Sequence, residues 1–459
     1  MASWNPVQLP TEIKELIIDE LDSDLDGFTD DAKENRAALC SCLFVSRQFH
    51  QRARRYLFRS IKLNDAVGLP QFRKHLVLLH QLMKTPADDY SLGVVSYMRK
   101  FSVVAEFGDS KEDTDEDKYG DEESPVAKVL AKYLPGILKL LMTEARGLQH
   151  FHMEHSSEPG AIGYDWTTVP SELRSAVRAF LIFRPLRCLE LRNFTEVPND
   201  FFHQTNVTHL ITDNFNSMDL ELNFDDSPSG SSFHGVQLSL GPVETLDTDQ
   251  CFPIHRMVDM SRNQSSQANF LKNIMLSVLD DDDFNQVIRL LHAASLVEDL
   301  LLNFTSFSNA DFLLGTKLDF SPLQKLTNVT LIYSEQLITS SRDSVPQSLE
   351  HASTLLKSSS SSIVFLTLAF TFDFRFSNDT QTRDDIIYQP NDDHWKPLDN
   401  ALSGPLYPML RRFELHINLN SESSRAERRL QASLQSVDNL FKTALPLLYA
   451  SELLHLYID

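Results

Sequence analysis

A short apolar pattern, L-x-x-L-x-L, returns nine times along this chain, and it limits the possible folds more than any other feature. The copies are MRKFSV from Met98, LQHFHM from Leu148, LRCLEL from Leu186, LKNIML from Leu271, VEDLLL from Val297, LTNVTL from Leu326, IVFLTL from Ile363, LRRFEL from Leu410 and LLHLYI from Leu453. Weaker copies begin at Val207 and near Val236. In each, the last two apolar residues alternate as one face of a β-strand does. Stretches with helical spacing lie between many of them, such as VAKVLAKYLPGILKLLM from Val126, FNQVIRLLHAASL from Phe284 behind an acidic run, and SLEHASTLLK from Ser348. Strand alternating with helix predicts an α/β fold with parallel strands joined by crossovers.

The recurrence resembles a leucine-rich repeat. Regular repeats run about 20 to 29 residues. Here only Leu186 to Val207, Leu271 to Val297 and Val297 to Leu326 fit that spacing, and the asparagine expected after the strand is mostly missing. The expectation is an irregular leucine-rich-repeat-like solenoid over residues 63–459, with a closed α/β domain as the alternative. Three polar excursions, 109–123, 225–235 and 377–405, read as loops, the first with nine acids against two lysines.

At 459 residues the chain exceeds one compact core unless much of it is a repeat array. Its net charge of -22 argues against nucleic acid as a partner, because phosphates repel an acidic surface. Ile363 to Phe372, the longest apolar run, is about half of the ~20 residues that span a bilayer, so no membrane partner is expected. Four cysteines and a start, MASWNPVQLP, without a signal-peptide pattern suit a reducing compartment, cytoplasmic or nuclear. Cys40 and Cys42 are too close for a CxxC pair and read as small buried side chains rather than zinc ligands.

The N-terminus has its own logic. In PTEIKELIIDEL, Ile13, Leu16, Ile17 and Leu21 fall at one-sided helical spacing, with Pro10 suited to a first turn. Further on, Leu39, Cys42, Leu43, Phe49, Ala53 and Leu57 can form an apolar seam over two short helices. From Arg36 to Lys62 there are seven Lys or Arg and no acid, so an acidic first helix faces a basic second half. The string LPTEIKELIIDEL followed by CSCLFVSRQFHQRARRYLFRSIKL resembles an F-box, the helical module that docks substrate receptors onto the Skp-type adaptor of cullin–RING ubiquitin ligases. Matching positions are Leu9, Pro10, Ile13 and Ile17, then Leu43, Val45, Ser46, Arg47, Phe49, Ala53, Leu57 and Phe58. The resemblance covers residues 1–62 as a helical module. It implies adaptor contacts by Leu9, Pro10, Ile13, Ile17, Leu43, Val45, Arg47, Phe49, Leu57 and Phe58. The acidic connection is longer than usual, and Phe49 stands where many members have tryptophan. An ordinary helical cap on the next domain is the plain alternative.

That acidic connection, DSDLDGFTDDAKE from Asp22, imitates a calcium-binding EF-hand loop, with Asp22, Asp24, Asp26 and Gly27 in place. Lys33 occupies the twelfth position, where a bidentate glutamate is needed, so a solvated loop is expected instead.

Among candidate chemical groups, HFHMEH could bring His150 and His152 together on one strand face to share an ion, although solvent-facing histidines are the plainer reading. No HExxH, GxSxG, Walker or GxGxxG motif is present, and no catalytic residue, metal or cofactor is expected. In a solenoid the residues alternating with the inward pairs line a surface for partner recognition. These are His150, His152, Glu190, Arg192, Phe365, Thr367, Arg412, Glu414 and His416, a mixed-charge set with one aromatic that suits a protein target. Together with the resemblance this implies a non-catalytic substrate-recognition subunit with three partners: a Skp-type adaptor, the cullin–RING core and a protein substrate. The alternatives are an interaction scaffold uncoupled from ubiquitination and an enzyme of unrecognised type.

Overall fold

The structure is a computed structural model that describes residues 16, 18–19, 30–85, 93–107, 124–156, 163–198, 201–202, 205–213, 243–248, 270–278, 281–304, 320, 322–338, 347–357, 362–375, 392–421 and 441–458. The chain divides into two compact α/β units, Met1–His234 and Gly235–Asp459.

In the first unit β1 (Ser60–Asn64), β2 (Lys100–Ala105), β3 (His150–His155), β5 (Cys188–Arg192) and β7 (His209–Asp213) lie side by side in sequence order, all parallel. A small parallel pair, β4 (Tyr164–Asp165) with β6 (Phe194–Thr195), sits apart from them in the hydrogen bonding. The second unit repeats the arrangement with β8 (Thr245–Thr248), β9 (Asn273–Val278), β10 (Asp299–Phe304), β11 (Asn328–Ile338), β12 (Phe365–Arg375), β13 (Arg412–Ser421) and β14 (Leu454–Ile458). All nine strong copies of the apolar pattern become strands, as does the weaker one at Val207.

The strands stack without stagger. Ser60, Lys100, His150, Cys188 and His209 are successive register partners, as are Thr245, Asn273, Asp299, Asn328, Phe365 and Arg412 in the second unit. The leading apolar residue is buried ahead of its strand in eight of the nine copies, at Met98, Leu148, Leu186, Leu271, Val297, Leu326, Ile363 and Leu410, and half-buried at Leu453. The turn beside it bonds to the equivalent turn before it: Gln149 N donates to Arg99 O at 2.9 Å, Arg187 N to Gln149 O at 2.8 Å, and Glu298 N to Lys272 O at 2.7 Å. The pattern therefore specifies a turn and a strand together.

Because the strand order never reverses and parallel crossovers are right-handed, the connecting helices must share one face of each sheet. They do: Leu69–Lys84 packs on Pro125–Glu144, which packs on Ser171–Phe183; in the second unit Gln347–Lys357 packs on Asp392–Leu402, and that on Pro446–Ala450. Pro125–Glu144 starts at Ser124, whose hydroxyl accepts from Val126 N at 3.1 Å. It passes close to Leu69–Lys84 at Gly136, where a Cβ would lie 2.8 Å from His80 Nε2. The side chains facing the helices form the core, including the stacked rings of Phe304, Tyr333 and Phe370 at equivalent strand positions. Among the described residues the opposite face carries no helix.

The N-terminal residues form a helical hairpin, Asp30–Cys42 and Arg47–Leu57, with Ser46 capping the second helix through Phe49 N. Ile18, Leu39, Ala53 and Leu57 are its buried centre, and Cys42, Leu43, Phe49, Tyr56 and Phe58 pack against it. The seam over these two helices is the one expected from sequence, but the first helical segment differs: Ile18 is buried there, whereas Leu16, expected on its apolar face, is 62% exposed.

Several expectations change. The boundary expected between residues 62 and 63 falls inside β1, so Ser60 to Lys62, expected in the helical module, are strand. Ile61 and Leu63 stand in register with Phe101 and Val103, so this segment begins the sheet. The weak copy near Val236 lies outside the described residues; a strand not expected from sequence occurs at Thr245–Thr248, led by buried Val243. Part of the supposed loop 377–405 is the helix Asp392–Leu402, because Trp395, Leu398 and Leu402 recur at helical spacing and are buried. Excursions 109–123 and 225–235 lie outside the described residues. So do positions 22–29 of the EF-hand-like string, whereas its last part is helical and Lys33 is exposed on it. Cys40 is exposed and Cys42 half-buried, so the first is not the buried side chain anticipated.

Candidate functional site

The helix-free face of the first unit collects the predicted polar residues of three neighbouring strands. Alternation along β3 sends Phe151 and Met153 to the core and His150 and His152 to the other side. His150 Nε2 donates to Glu190 Oε2 at 3.0 Å. His152 Nε2 lies 3.1 Å from Glu154 Oε2 and 3.9 Å from Glu190 Oε1, close contacts without hydrogen-bond alignment. Arg192 Nε donates to Glu190 Oε1 at 2.7 Å, and its Nη1 to Asp213 Oδ2 at 3.3 Å. The network thus crosses β3, β5 and β7.

Its electrostatics centre on Glu190. Burial alone would raise the carboxyl's pKa, but the His150 hydrogen bond and the charges of His152 and Arg192 outweigh it and bring the value down to about 2. Burial works against the Arg192 charge in the same way, and Glu190 and Asp213 reverse that, lifting its pKa. His152 and Glu190 are therefore buried by their neighbours even though they point away from the helices, which differs from the open positions expected. The Arg192 guanidinium occupies the Glu190 carboxylate beside His150 and His152, and among the described residues no group of three or more His, Cys, Asp or Glu is placed to hold a metal ion. His155 turns to the core side, where Phe107 N donates to its Nδ1 at 3.1 Å and burial depresses its pKa.

On the second unit the expected residues also share the helix-free face. Phe365, 47% exposed, is the register partner of Arg412, and Thr367 of Glu414. Arg412 Nη2 pairs with Glu414 Oε1 at 2.6 Å, and His416 Nε2 lies 3.4 Å from Glu414 Oε2. Tyr457 of β14 was missed by sequence reasoning. Its ring, 40% exposed, stacks on His416 at 4.4 Å, and Arg412 Nη2 lies 3.1 Å from its hydroxyl. Its place in LLHLYI, opposite the inward leucine and isoleucine, is the signal that finds it. Glu154 and Asp213, which belong to the outward row near the ends of β3 and β7, were missed on the first unit as well.

A planar ring pair beside a held arginine and carboxylate can grip a protein surface through apolar contact and directional bonds.

No protein-family model and no curated protein matches the chain. Among solved structures it is similar to the endo-beta1,6-glucanase BT3312 at 11% identity and a TM-score of 0.19, covering 68% of this chain and 65% of that one. The chain thus spans under two thirds of that structure's length, and a likeness this slight carries no argument about function.

Of the expected adaptor-binding residues, Leu9, Pro10, Ile13 and Ile17 lie outside the described residues. Val45 is 65% exposed and Arg47 is exposed; Leu43, Phe49 and Phe58 are half-buried against the hairpin's centre, and Leu57 belongs to that centre. Asp19, which no motif marks, joins the two halves of the module through Arg52 and Tyr56. No described helix is long and apolar enough to cross a membrane.

Proposed function

We propose that this chain is the substrate-recognition subunit of a cullin–RING ubiquitin ligase. Its N-terminal hairpin docks a Skp-type adaptor as an F-box does, and the rest is an irregular leucine-rich-repeat-like solenoid whose helix-free faces hold a protein target. The observation that carries this reading is a conjunction. A small helical module with its own centre at Ile18, Leu39, Ala53 and Leu57 leads directly into parallel strands stacked without stagger. A repeat stack that buries one face and leaves the other without helices is built for holding partners.

In this reading Leu57 serves the hairpin's own packing. Docking falls to Val45 and Arg47, to the outer parts of Leu43, Phe49 and Phe58, and to Leu9, Pro10, Ile13 and Ile17. The target contacts His152, Glu190 and Arg192 on one unit, and Phe365, Thr367, Arg412, Glu414 and His416 on the other. The chain contributes proximity, holding the target near a ubiquitin carrier, and no acid, base or nucleophile of its own.

The test is capture of a purified Skp-type adaptor and cullin by the full chain, beside a double variant, Leu9→Ala with Pro10→Ala. Recovery of both partners by the wild type and their loss in the variant supports the reading. Equal recovery counts against the docking residues. Adaptor without cullin points to an interaction scaffold uncoupled from ubiquitination.

A further inference from the structure

One side chain on the hairpin stands apart from the motif positions. Phe44, in the turn between the two helices, is 88% exposed, the highest value among the large apolar residues described. A lone exposed phenylalanine is common. Here the turn beneath it is fixed from both sides: Leu43 N, Phe44 N and Val45 N donate to Cys40 O, Ser41 O and Cys42 O at 3.3, 3.1 and 3.2 Å. His50 Nδ1 donates to Leu43 O at 3.0 Å, Leu43 packs on the hairpin's centre, and Ser46 caps the helix that follows. The ring is therefore displayed on a rigid mount next to Val45, itself 65% exposed. Such a residue loses little freedom when it is buried by a partner, the property that distinguishes an anchor from an incidental apolar side chain.

The charge around it defines the partner. The segment Arg36 to Lys62 holds seven basic residues and no acid within a chain of net charge -22. Arg36, Arg47 and Arg55 are exposed. A surface that complements this one is an apolar pocket rimmed by carboxylates.

We propose that Phe44 is an anchor of the docking surface and enters an acid-rimmed apolar pocket on the adaptor. The proposal rests on the F-box reading and adds to it a residue outside the motif and the chemistry of the site that receives it. Because Phe44 is so exposed, replacing it leaves the hairpin's centre untouched.

The experiment measures affinity of the full chain for a purified Skp-type adaptor, comparing wild type, Phe44→Ser and Phe44→Leu, at about 0.05 and about 0.5 M salt. The expected result is a loss of about tenfold or more for Phe44→Ser, near-wild-type binding for Phe44→Leu, and weaker wild-type binding at the higher salt. Phe44→Ser binding as tightly as wild type overturns the anchor and leaves the docking reading standing. Wild type that does not bind the adaptor overturns both. Loss of binding by both variants together with lost helix content makes Phe44 a structural residue and overturns the anchor as well.

Discussion

The carboxylate of Asp19 accepts two bonds from one guanidinium: Arg52 Nε donates to Oδ1 at 2.8 Å and Nη2 to Oδ2 at 2.6 Å. Tyr56 adds its hydroxyl to Oδ1 at 2.6 Å. The acidic first half of the N-terminal module is thus clasped to its basic second half at a defined point, beside the contact of Ile18 with Leu39, Ala53 and Leu57.

Breaking that clasp should loosen the module without unfolding the sheet. The Arg52 hydrogen bond first of all, with Tyr56 helping against a small effect of burial, holds the Asp19 pKa below its ordinary 3.8. Its stabilisation is present above that pH and is lost as the pH falls below it. The pair is partly exposed, so solvent limits its worth to about 1 kcal/mol. Asp19→Asn should raise hydrogen exchange in Arg47–Leu57 at pH 7 and leave β2 and β3 unchanged. Matching exchange in both proteins would show the clasp to be idle.

Glu190 should matter more, because it is buried and holds three strands together. Its pKa of about 2 lies below the ordinary 4.5, so its contribution is complete above pH 4.5 and declines as the pH falls toward 2. The shift corresponds to an effect on the order of 3 kcal/mol. Glu190→Gln should lower unfolding free energy by about 2–3 kcal/mol at pH 6, with the gap narrowing below pH 4.5. Urea titrations at several pH values measure it, and a gap independent of pH would contradict the assignment.

A buried base produces acid sensitivity by a different route. Burial lowers the His351 pKa to about 4; the ring is enclosed by Phe284, Phe304 and Tyr333, with the Tyr333 hydroxyl 3.2 Å from its Nδ1. The unfolded chain takes up a proton near the ordinary 6.5 and the folded chain does not, so stability falls as the pH drops from 6.5 to 4 and is unaffected above. His351→Leu should cost about 1 kcal/mol at pH 7.5 through the lost hydrogen bond. At pH 5 it should match or exceed the wild type. Parallel stability curves for the two proteins would exclude this origin.

These groups show what was and was not legible in the sequence. The strands and the side to which their residues point could be read because turn, strand and alternation are encoded within six residues, as in LRCLEL, where Leu189 and Leu191 are buried and Glu190 points away. The hairpin seam was legible for the same reason. The depth of Glu190 was not, since it depends on His150, His152 and Arg192 lying in register across strands whose connections vary in length. β1 was hidden by the resemblance, which placed Ser60 to Lys62 in a helical module, and Asp392–Leu402 by its own proline and aspartates, two of the latter opening the helix. Pro397 lies inside that helix and looks like a terminator in sequence.

That helix carries a residue whose role only the tertiary structure reveals. Asp399 is buried, and its Oδ2 and Oδ1 accept from Leu447 N at 3.1 Å and Leu448 N at 2.9 Å, supplying the first turn of Pro446–Ala450 with acceptors it cannot find in its own chain. Asp399→Ala would leave the buried amide of Leu448 and the partly exposed amide of Leu447 without this acceptor, a loss of about 1–3 kcal/mol in the second unit. Asp399→Asn keeps one acceptor oxygen and should lose about half as much. Hydrogen exchange should rise first at Leu447 and Leu448 and then along β14, which follows that helix, whereas β9 and β10 should keep their protection. Equal protection of β14 in Asp399→Ala and wild type would show that the helix start is held by its apolar contacts alone.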